Sequence, residues 1–201
     1  TDNSAWSAIA SFTTTQVPAT IPYTQNFNTA NDFGFVNGNQ TNKWAYGTAT
    51  GNTGSSIYIS NNNGTANAYS TGSTSVVHAY RDISVPLGAS VATFSFDWKA
   101  LGEGFTTTNY DYFKVWLVPA TFNPTAGTQI TAAAGRIQVG GNMNNQTTWI
   151  NYLNSTLNIS SFSNSTMRLV FEWINDGSLG SQPPAAIDNI NLFIPSCVMP
   201  T

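Results

Sequence analysis

Apolar and polar residues alternate with a period of two through much of the chain. Phe94, Phe96 and Trp98 occupy every second position of ATFSFDWKA, and the stretches DYFKVWLVP and STMRLVFEWI follow the same rule. This period is typical of β-strands that bury one face, because successive side chains of a strand point to opposite sides. The three stretches therefore predict strands that line a common core.

Weaker stretches of the same kind are separated by clusters of Gly, Asn, Pro and Ser, which favour turns. No window of about 11 residues keeps apolar residues at helical spacing without Gly, Pro or runs of Thr and Ser. About eight to ten strands without intervening helices predict an all-β fold, an antiparallel two-sheet β-sandwich with jelly-roll topology. The weaker strand candidates are SIYIS, VVHAYRDISV, GRIQVGG and AIDNINLFI.

Composition changes this picture mainly at the surface of the predicted sandwich. Only 7% of the 201 residues are charged, with 6 Lys and Arg against 9 Asp and Glu, while 41% are hydrophobic. The core is therefore well supplied, and the surface must consist largely of amides and hydroxyls. A net charge of -3 without any basic run excludes a phosphate-binding surface, so we expect no nucleic acid partner. No apolar run reaches the ~20 residues of a membrane helix, so we expect no membrane insertion.

The chain offers few residues for catalysis. His78 is the only histidine, and neither a G-x-S-x-G motif nor a reactive cysteine accompanies it, which argues against nucleophilic hydrolysis. A glycosidase would need two carboxylates across a cleft, for which Glu103 with Asp111 or Glu172 with Asp176 are candidate pairs. In a chain this poor in charge most acids are needed locally, so we expect no enzyme.

Rare charged residues cluster in the longest patterned stretches, and two interpretations are open. They could form a hydrogen-bonded, ion-paired network that fixes loops to a sheet, since lone buried charges are costly. They could instead form a polar surface for sugar hydroxyls, with nearby aromatic rings for stacking. The charged set comprises Arg81, Asp97, Lys99, Glu103, Asp111 and Asp176, and the candidate binding residues are Arg81, Asp97, Lys99, Glu103, Tyr110, Tyr112 and Trp116.

Three long motifs resemble a known family. YRDISVPLGASVATFSFDWKALGEG, YDYFKVWLVP and VFEWINDGSLGSQPPAAIDNINL are similar to the adhesin-type jelly-roll domain called choice-of-anchor J or cleaved adhesin. The resemblance implies a domain of Bacteroidetes-type secreted surface proteins, one that is related to MAM domains and to jelly-roll carbohydrate-binding modules.

The two ends of the chain look different from the middle. SAWSAIASFTT and SCVMPT resemble the end and the start of fibronectin type III modules. We therefore expect residues 1–16 to end a preceding module or to form an edge strand, 17–195 to form the jelly-roll domain and 196–201 to link to a following module. The alternative is that both ends belong to the one domain.

The resemblance also implies a structural calcium ion between the first and last strands. Asp188 matches the last-strand acid, but Gln25 and Asn28 stand where relatives often carry acids, and Asn63 could add an oxygen. Amide oxygens can bind calcium without contributing charge, so affinity should fall. The alternative is that Asp188 accepts hydrogen bonds from backbone N–H groups.

Together these observations favour a non-catalytic adhesive or carbohydrate-binding module of a large secreted cell-surface protein. Its expected partners are a glycan or a host-surface ligand and the neighbouring modules of the same chain. Two alternatives remain: a purely structural spacer, and an ancillary domain of a secreted hydrolase.

Overall fold

The computed structural model of the protein describes residues 16–104 and 108–196. This part contains thirteen β-strands and one turn of 3-10 helix, Ser160–Phe162. Within it, no helix has the length and apolar character needed to cross a membrane. In chain order the strands are β1 Ala19–Thr20, β2 Tyr23–Gln25, β3 Gly34–Val36, β4 Lys43–Gly47, β5 Ser56–Ser60, β6 Ser75–Val85, β7 Val91–Ala100, β8 Glu103–Gly104, β9 Asn109–Pro119, β10 Ile137–Met143, β11 Gln146–Asn158, β12 Ser165–Asn175 and β13 Ala186–Phe193.

The strands form two sheets that pack face to face. Sheet A runs β1-β6-β12-β9-β10, with β3 also on β6 and β8 on β9. Sheet B runs β11-β7-β13-β5-β4, with β2 also on β13. Among the pairs of the described strands only β1 with β6 is parallel. The predicted all-β jelly-roll sandwich is therefore confirmed.

The core between the sheets is built from the positions that the period of two predicts. Phe94 and Phe96 of β7 are buried, and Trp98 lies with them in the same cluster. Across the sandwich, the rings of Phe96 and Phe171 lie 5.2 Å apart at a nearly perpendicular angle. Such edge-to-face pairs contribute about 0.5–1.5 kcal/mol beyond the area that they bury.

The longest strand, β11, does not follow the pattern that revealed the others. It forms the edge of sheet B beside β7, and only Leu157 of its thirteen residues is fully buried. An edge strand has one neighbour and little core contact, so its sequence QTTWINYLNSTLN can stay polar on both faces. Sequence periodicity therefore missed it.

The outer face of sheet A is covered by the connection between β9 and β10. Ile130 of this connection is buried against Trp116, Val118 and Val170, and Phe122 packs beside them. The face carries a second, smaller apolar cluster, so sheet A is covered on both sides over these strands.

Glu172 of β12 fastens this connection to the sheet. Its side chain is fully buried and accepts hydrogen bonds from the Trp116 indole at 2.9 Å and from the Ile130 backbone N–H at 2.5 Å. The Nε2 atom of His78, the opposite residue on β6, lies 3.3 Å from the same carboxylate. Hydrogen bonds of this kind are what permit an acid to leave water.

Arg168 fastens the start of the same connection. Its guanidinium binds both oxygens of Asp82, at 2.7 and 2.9 Å, and donates to the Phe122 carbonyl at 2.8 Å and to Asn123 at 3.0 Å. The planar group can make such paired bonds because its donors form a fixed fork.

This cover changes the interpretation of two candidate binding residues. Trp116 is 2% exposed and Tyr112 is 9% exposed. Lys114, between them on β9, holds its ammonium 5.8 Å from the Trp116 ring and 5.5 Å from the Tyr112 ring. Neither ring offers an open face to a sugar, because the connection after β9 and the lysine occupy that side.

We expect the Glu172→Gln substitution to destabilise the fold by about 2–3 kcal/mol. The new amide NH₂ would face either the Trp116 indole N–H or the Ile130 backbone N–H, so one buried donor would lose its acceptor. Denaturant unfolding measures this difference. Lys114→Gln, at the neighbouring register position, should cost less than about 1 kcal/mol. Equal stabilities of Glu172→Gln and the wild type would show that Glu172 does not hold the connection.

Candidate functional site

The exposed face of sheet B is organised by a change of partner along β13. The first residues of β13, Ala186 and Ile187, pair with β5, whereas Ile190 to Leu192 pair with β2. Between these segments β13 bulges at Asn189, whose φ is 48°. A bulge of this kind bends the strand and interrupts the ladder, so a gap opens beside Asp188.

Asp188 fills this gap with hydrogen bonds to backbone donors. Its carboxylate is fully buried, and Oδ2 accepts from the N–H groups of Asn52 at 2.9 Å and Thr53 at 3.4 Å, while Oδ1 accepts from Asn189 N–H at 2.7 Å. Burial raises the pKa of Asp188, and these N–H donors act in the opposite direction. The acid thus joins the loop before β5 to the last strand.

Asp97 lies opposite Asp188 on β7 and gathers three amide side chains. It accepts from Nδ2 of Asn52 at 2.7 Å, Asn151 at 2.8 Å and Asn189 at 2.8 Å. We call Asp97 and these three residues the amide cluster. Asn52 and Asn189 therefore each bind both acids. In each residue the backbone N–H donates to Asp188 and the side-chain Nδ2 donates to Asp97.

The two first-strand amides proposed for calcium already accept N–H groups. Gln25 Oε1 accepts from the Phe27 N–H at 2.7 Å. Asn28 Oδ1 accepts from the Ser55 N–H at 3.1 Å. Both oxygens thus serve the backbone of nearby loops, as the Asp188 carboxylate does.

This arrangement does not fit a cation at Asp188. A metal ion would have to replace N–H donors that point at the carboxylate, and Asn63 lies in an exposed turn with no hydrogen bond to Asp188 among the described residues. The geometry is that of the alternative prediction, in which Asp188 accepts hydrogen bonds from backbone N–H groups.

The exposed face around the amide cluster combines apolar and polar groups. Trp149 of β11 is half-buried, with the Lys99 ammonium 5.3 Å from its ring, and Leu153 on the same strand is 62% exposed. Burial lowers the pKa of Lys99. In the second half of β13, Asn191 stands opposite Thr24 of β2.

A cavity of about 440 Å³ opens where β2 meets β13. Its lining is almost entirely amide and hydroxyl: Thr24, Gln25, Asn26, Thr29, Asn189, Ile190 and Asn191. Asn189 belongs to both the cavity and the amide cluster, so the two features form one continuous surface.

The structure disperses the other candidate binding residues. Arg81 lies on β6 of sheet A, where its Nε is 3.0 Å from Asp32 Oδ2, and Gln25 donates to the same acid at 2.7 Å. Glu103 stands at one end of the sandwich, and Tyr110, 39% exposed, lies on β9 at that end. Of the seven candidates only Asp97 and Lys99 share the exposed face of sheet B.

Residues that sequence reasoning missed complete this face. Trp149 and Asn151 belong to the edge strand that periodicity did not detect, and Asn52 lies in a turn-rich loop. Four of the five residues of WINYL are apolar or aromatic, so this stretch offers no polar–apolar alternation that could have revealed Trp149 and Asn151.

Neither a protein-family model nor a curated protein matches the chain. Among solved structures it is similar to the K1 cleaved adhesin domain of Lys-gingipain from Porphyromonas gingivalis, at 12% identity and TM-score 0.47, covering 87% of this chain and 98% of that chain. It is also similar to a family 22 carbohydrate-binding module of Clostridium thermocellum Xyn10B, at 19% identity and TM-score 0.46, covering 88% and 96%. The xylan-binding domain CBM22-1 of Paenibacillus barcinonensis Xyn10C matches at 11% identity and TM-score 0.44, covering 89% and 97%.

At these identities and TM-scores the likenesses carry no conclusion about ligands. The two stretches that resemble fibronectin type III modules are residues 4–14 and 196–201, and all of them except Ser196 lie outside the described part of the chain.

The Asp188→Asn substitution should destabilise the fold by about 2 kcal/mol, because the new NH₂ group must face one of three backbone N–H donors. Thermal and denaturant unfolding both report this loss. Asn154→Ala is the matched control, since the Asn154 side chain accepts only from nearby Thr156 N–H in its own strand. A wild-type melting temperature for Asp188→Asn would contradict the role of Asp188 in closing sheet B.

Proposed function

We propose that the protein is a non-catalytic glycan-binding module, and that it binds sugars on the exposed face of sheet B. The observation that carries this proposal is the amide cluster, in which one carboxylate orients three exposed or half-exposed amides beside a tryptophan. The module would belong to a secreted cell-surface protein and act together with neighbouring modules.

Asp97 fixes the orientation of the three amides. Each asparagine donates its Nδ2 to Asp97, so each Oδ1 must point away from that carboxylate. Sugar hydroxyls are donors as well as acceptors, so a sugar O–H can donate a hydrogen bond to each fixed amide oxygen. Because Asp97 has already ordered these side chains, less rotational freedom is lost when a ligand binds.

Apolar contacts alternate with these polar groups along β11. Trp149 and the exposed Leu153 lie on either side of Asn151. A sugar ring presents C–H groups on its faces and hydroxyls around its edge, and a tryptophan beside hydrogen-bonding groups matches both.

The charge of this face favours neutral sugars. Lys99 is the only cation and Asp97 the only half-exposed acid among the residues that we assign to it, and Asp97 is already bound by three amides. Two cations of sheet A are paired with acids: Arg81 with Asp32 of the connection between β2 and β3, and Arg168 with Asp82 of β6. A sulfated or uronic acid polymer would find too few cations here, because such ligands depend on positive potential.

The buried position of Asp111 argues against glycoside hydrolysis by Glu103 and Asp111. These residues are opposite each other on β8 and β9. Asp111, however, is fully buried beneath the loop after β12 and is held by Tyr69. A carboxylate in that position cannot reach an anomeric carbon.

The test is binding of neutral polysaccharides and a glycan array by the whole chain, followed by calorimetry with the best ligand. Trp149→Ala and Asn151→Ala should each raise the Kd about tenfold or more, a loss of about 1.4 kcal/mol, since each removes a central contact. Asn154→Ala on the same strand should keep the wild-type Kd.

Two outcomes would contradict the proposal. Absence of binding to every glycan would favour a structural spacer. Loss of binding in Tyr110→Ala with full binding in Trp149→Ala would move the site to the end of the sandwich.

A further inference from the structure

Four residues form a row across the exposed face of sheet B, next to the amide cluster. Leu153 of β11 stands opposite Ser95 of β7. Ser95 also stands opposite Asn191 of β13, which in turn stands opposite Thr24 of β2. Neighbouring strands lie about 4.8 Å apart, so the three steps of this row cover roughly 14 Å. We call Leu153, Ser95, Asn191 and Thr24 the cross-strand row.

The cross-strand row faces away from the core. Ser95 lies between Phe94 and Phe96, which point into the core, so its own side chain points to the other side of the sheet. Asn191 lies between two core residues of β13 in the same way. Both ends of the row are exposed and its two middle residues are half-buried. The row therefore forms part of an open surface.

The polar side chains of this row keep their hydrogen-bonding capacity. Within the described part of the chain, the side chains of Ser95, Asn191 and Thr24 make no hydrogen bond. The three amides of the neighbouring cluster, in contrast, are all bound by Asp97. Unpaired polar groups at a surface bind water, and a ligand rich in hydroxyls can replace that water with hydrogen bonds of the same kind.

The cavity of about 440 Å³ joins the row to the amide cluster. Thr24 and Asn191 of the row line this cavity, and so does Asn189 of the amide cluster. Asn26 and Thr29, from the loop after β2, also line it. Polar groups thus continue without a break from β11 to the loop after β2.

The covered start of β13 decides the direction in which a long ligand can lie. Ala186 and Asp188 are fully buried, and Asp188 accepts hydrogen bonds from the loop before β5. A chain that lay along β13 would meet this loop. A chain that lies across the strands follows the cross-strand row, which is open.

We propose that this face binds an internal segment of an unbranched, neutral polysaccharide whose chain runs across the strands from β11 to β2. This inference rests on the proposed function and adds the length and the direction of the ligand. An extended sugar chain advances by about one strand spacing per unit, so the row accommodates about three sugar units. Trp149 and Asn151 lie beside the β11 end of the row and contact the same chain.

The open ends of the row favour an internal segment over a chain end. Leu153, at the edge of sheet B, is 62% exposed, and Thr24 is exposed on β2. A polysaccharide can therefore leave the face in both directions. Recognition of a terminal sugar would instead need a pocket that encloses that sugar on several sides.

The first test measures how affinity depends on chain length, by calorimetry with the whole protein. The probes are linear 1,4-linked oligosaccharides of glucose, xylose, mannose and galactose, from the monosaccharide to about six units. We expect the Kd of the series that binds to fall about threefold or more per added sugar up to about three or four units, since each unit adds hydrogen bonds. Longer chains should bind with a constant Kd, because they extend beyond the row.

The second test distinguishes an internal segment from a chain end. A bulky fluorescent label is attached to the longest oligosaccharide, either at its reducing end or at its non-reducing end. Both labelled chains should keep the Kd of the unlabelled chain. Loss of binding with one of the two labels would show that the face takes a chain end, and would overturn the inference.

Variants at the β2 end of the row provide the third test. Thr24→Val and Asn191→Ala should each raise the Kd of the tetrasaccharide about fivefold, because each removes a hydrogen-bonding group. Neither should change the Kd of the disaccharide, which Trp149 and Asn151 hold at the other end. Trp149→Ala should weaken both ligands, and Asn154→Ala should weaken neither. Unchanged melting temperatures would show that the two variants fold.

Failure of this inference is distinguishable from failure of the proposed function. The same Kd for the disaccharide and the tetrasaccharide would overturn the inference alone. Wild-type tetrasaccharide affinity in both Thr24→Val and Asn191→Ala, with loss of binding in Trp149→Ala, would do the same. Absence of binding to every glycan would overturn both.

Discussion

Removing a carboxylate from water requires donors or a cation in place of its hydration, and four acids are buried in the part of the chain that the structure describes. Asp82 binds the Arg168 guanidinium, and Glu172 binds an indole and a backbone N–H. Asp188 takes three backbone N–H groups at the bulge of β13. Asp111 alone shares its surroundings with two further acids. The group that binds each buried acid thus determines which loop or strand that acid holds in place.

These interactions give the two sheets different roles. Arg168 and Glu172 hold the connection after β9 over sheet A, and this covers Trp116. Asp188 instead holds a loop at one side of sheet B and leaves the face over β7, β11 and the end of β13 open. Asp97 then orders the amides on that open face. The proposed binding surface is therefore a consequence of how buried charge is satisfied.

The charged set that looked like one unit in the sequence is divided among three places in the fold. Asp97 and Lys99 lie on the exposed face of sheet B, and Arg81 pairs with Asp32 on sheet A. Glu103, Asp111 and Asp176 meet at one end. The ion-paired network describes Arg81 with Asp32, whereas the sugar-binding interpretation stays a proposal for Asp97 and Lys99. Spacing along a strand cannot separate them, because neighbours on opposite faces of a strand belong to different environments.

The sequence by itself determined the fold class and the core faces of the long strands, since burial on one side imposes a period of two that Phe94, Phe96 and Trp98 display. It also singled out Asp188, an acid within an apolar pattern, and offered backbone N–H groups as one alternative for its partners; the structure places two of these groups in the loop before β5, at Asn52 and Thr53. Only the tertiary structure decided that Trp116 is covered and that β11, with Trp149 and Asn151, borders the open face. The physical reason is that the burial of an edge strand, or of a side chain beneath a covering loop, depends on contacts with residues that are distant in the sequence. The local pattern of apolar and polar residues does not encode those contacts.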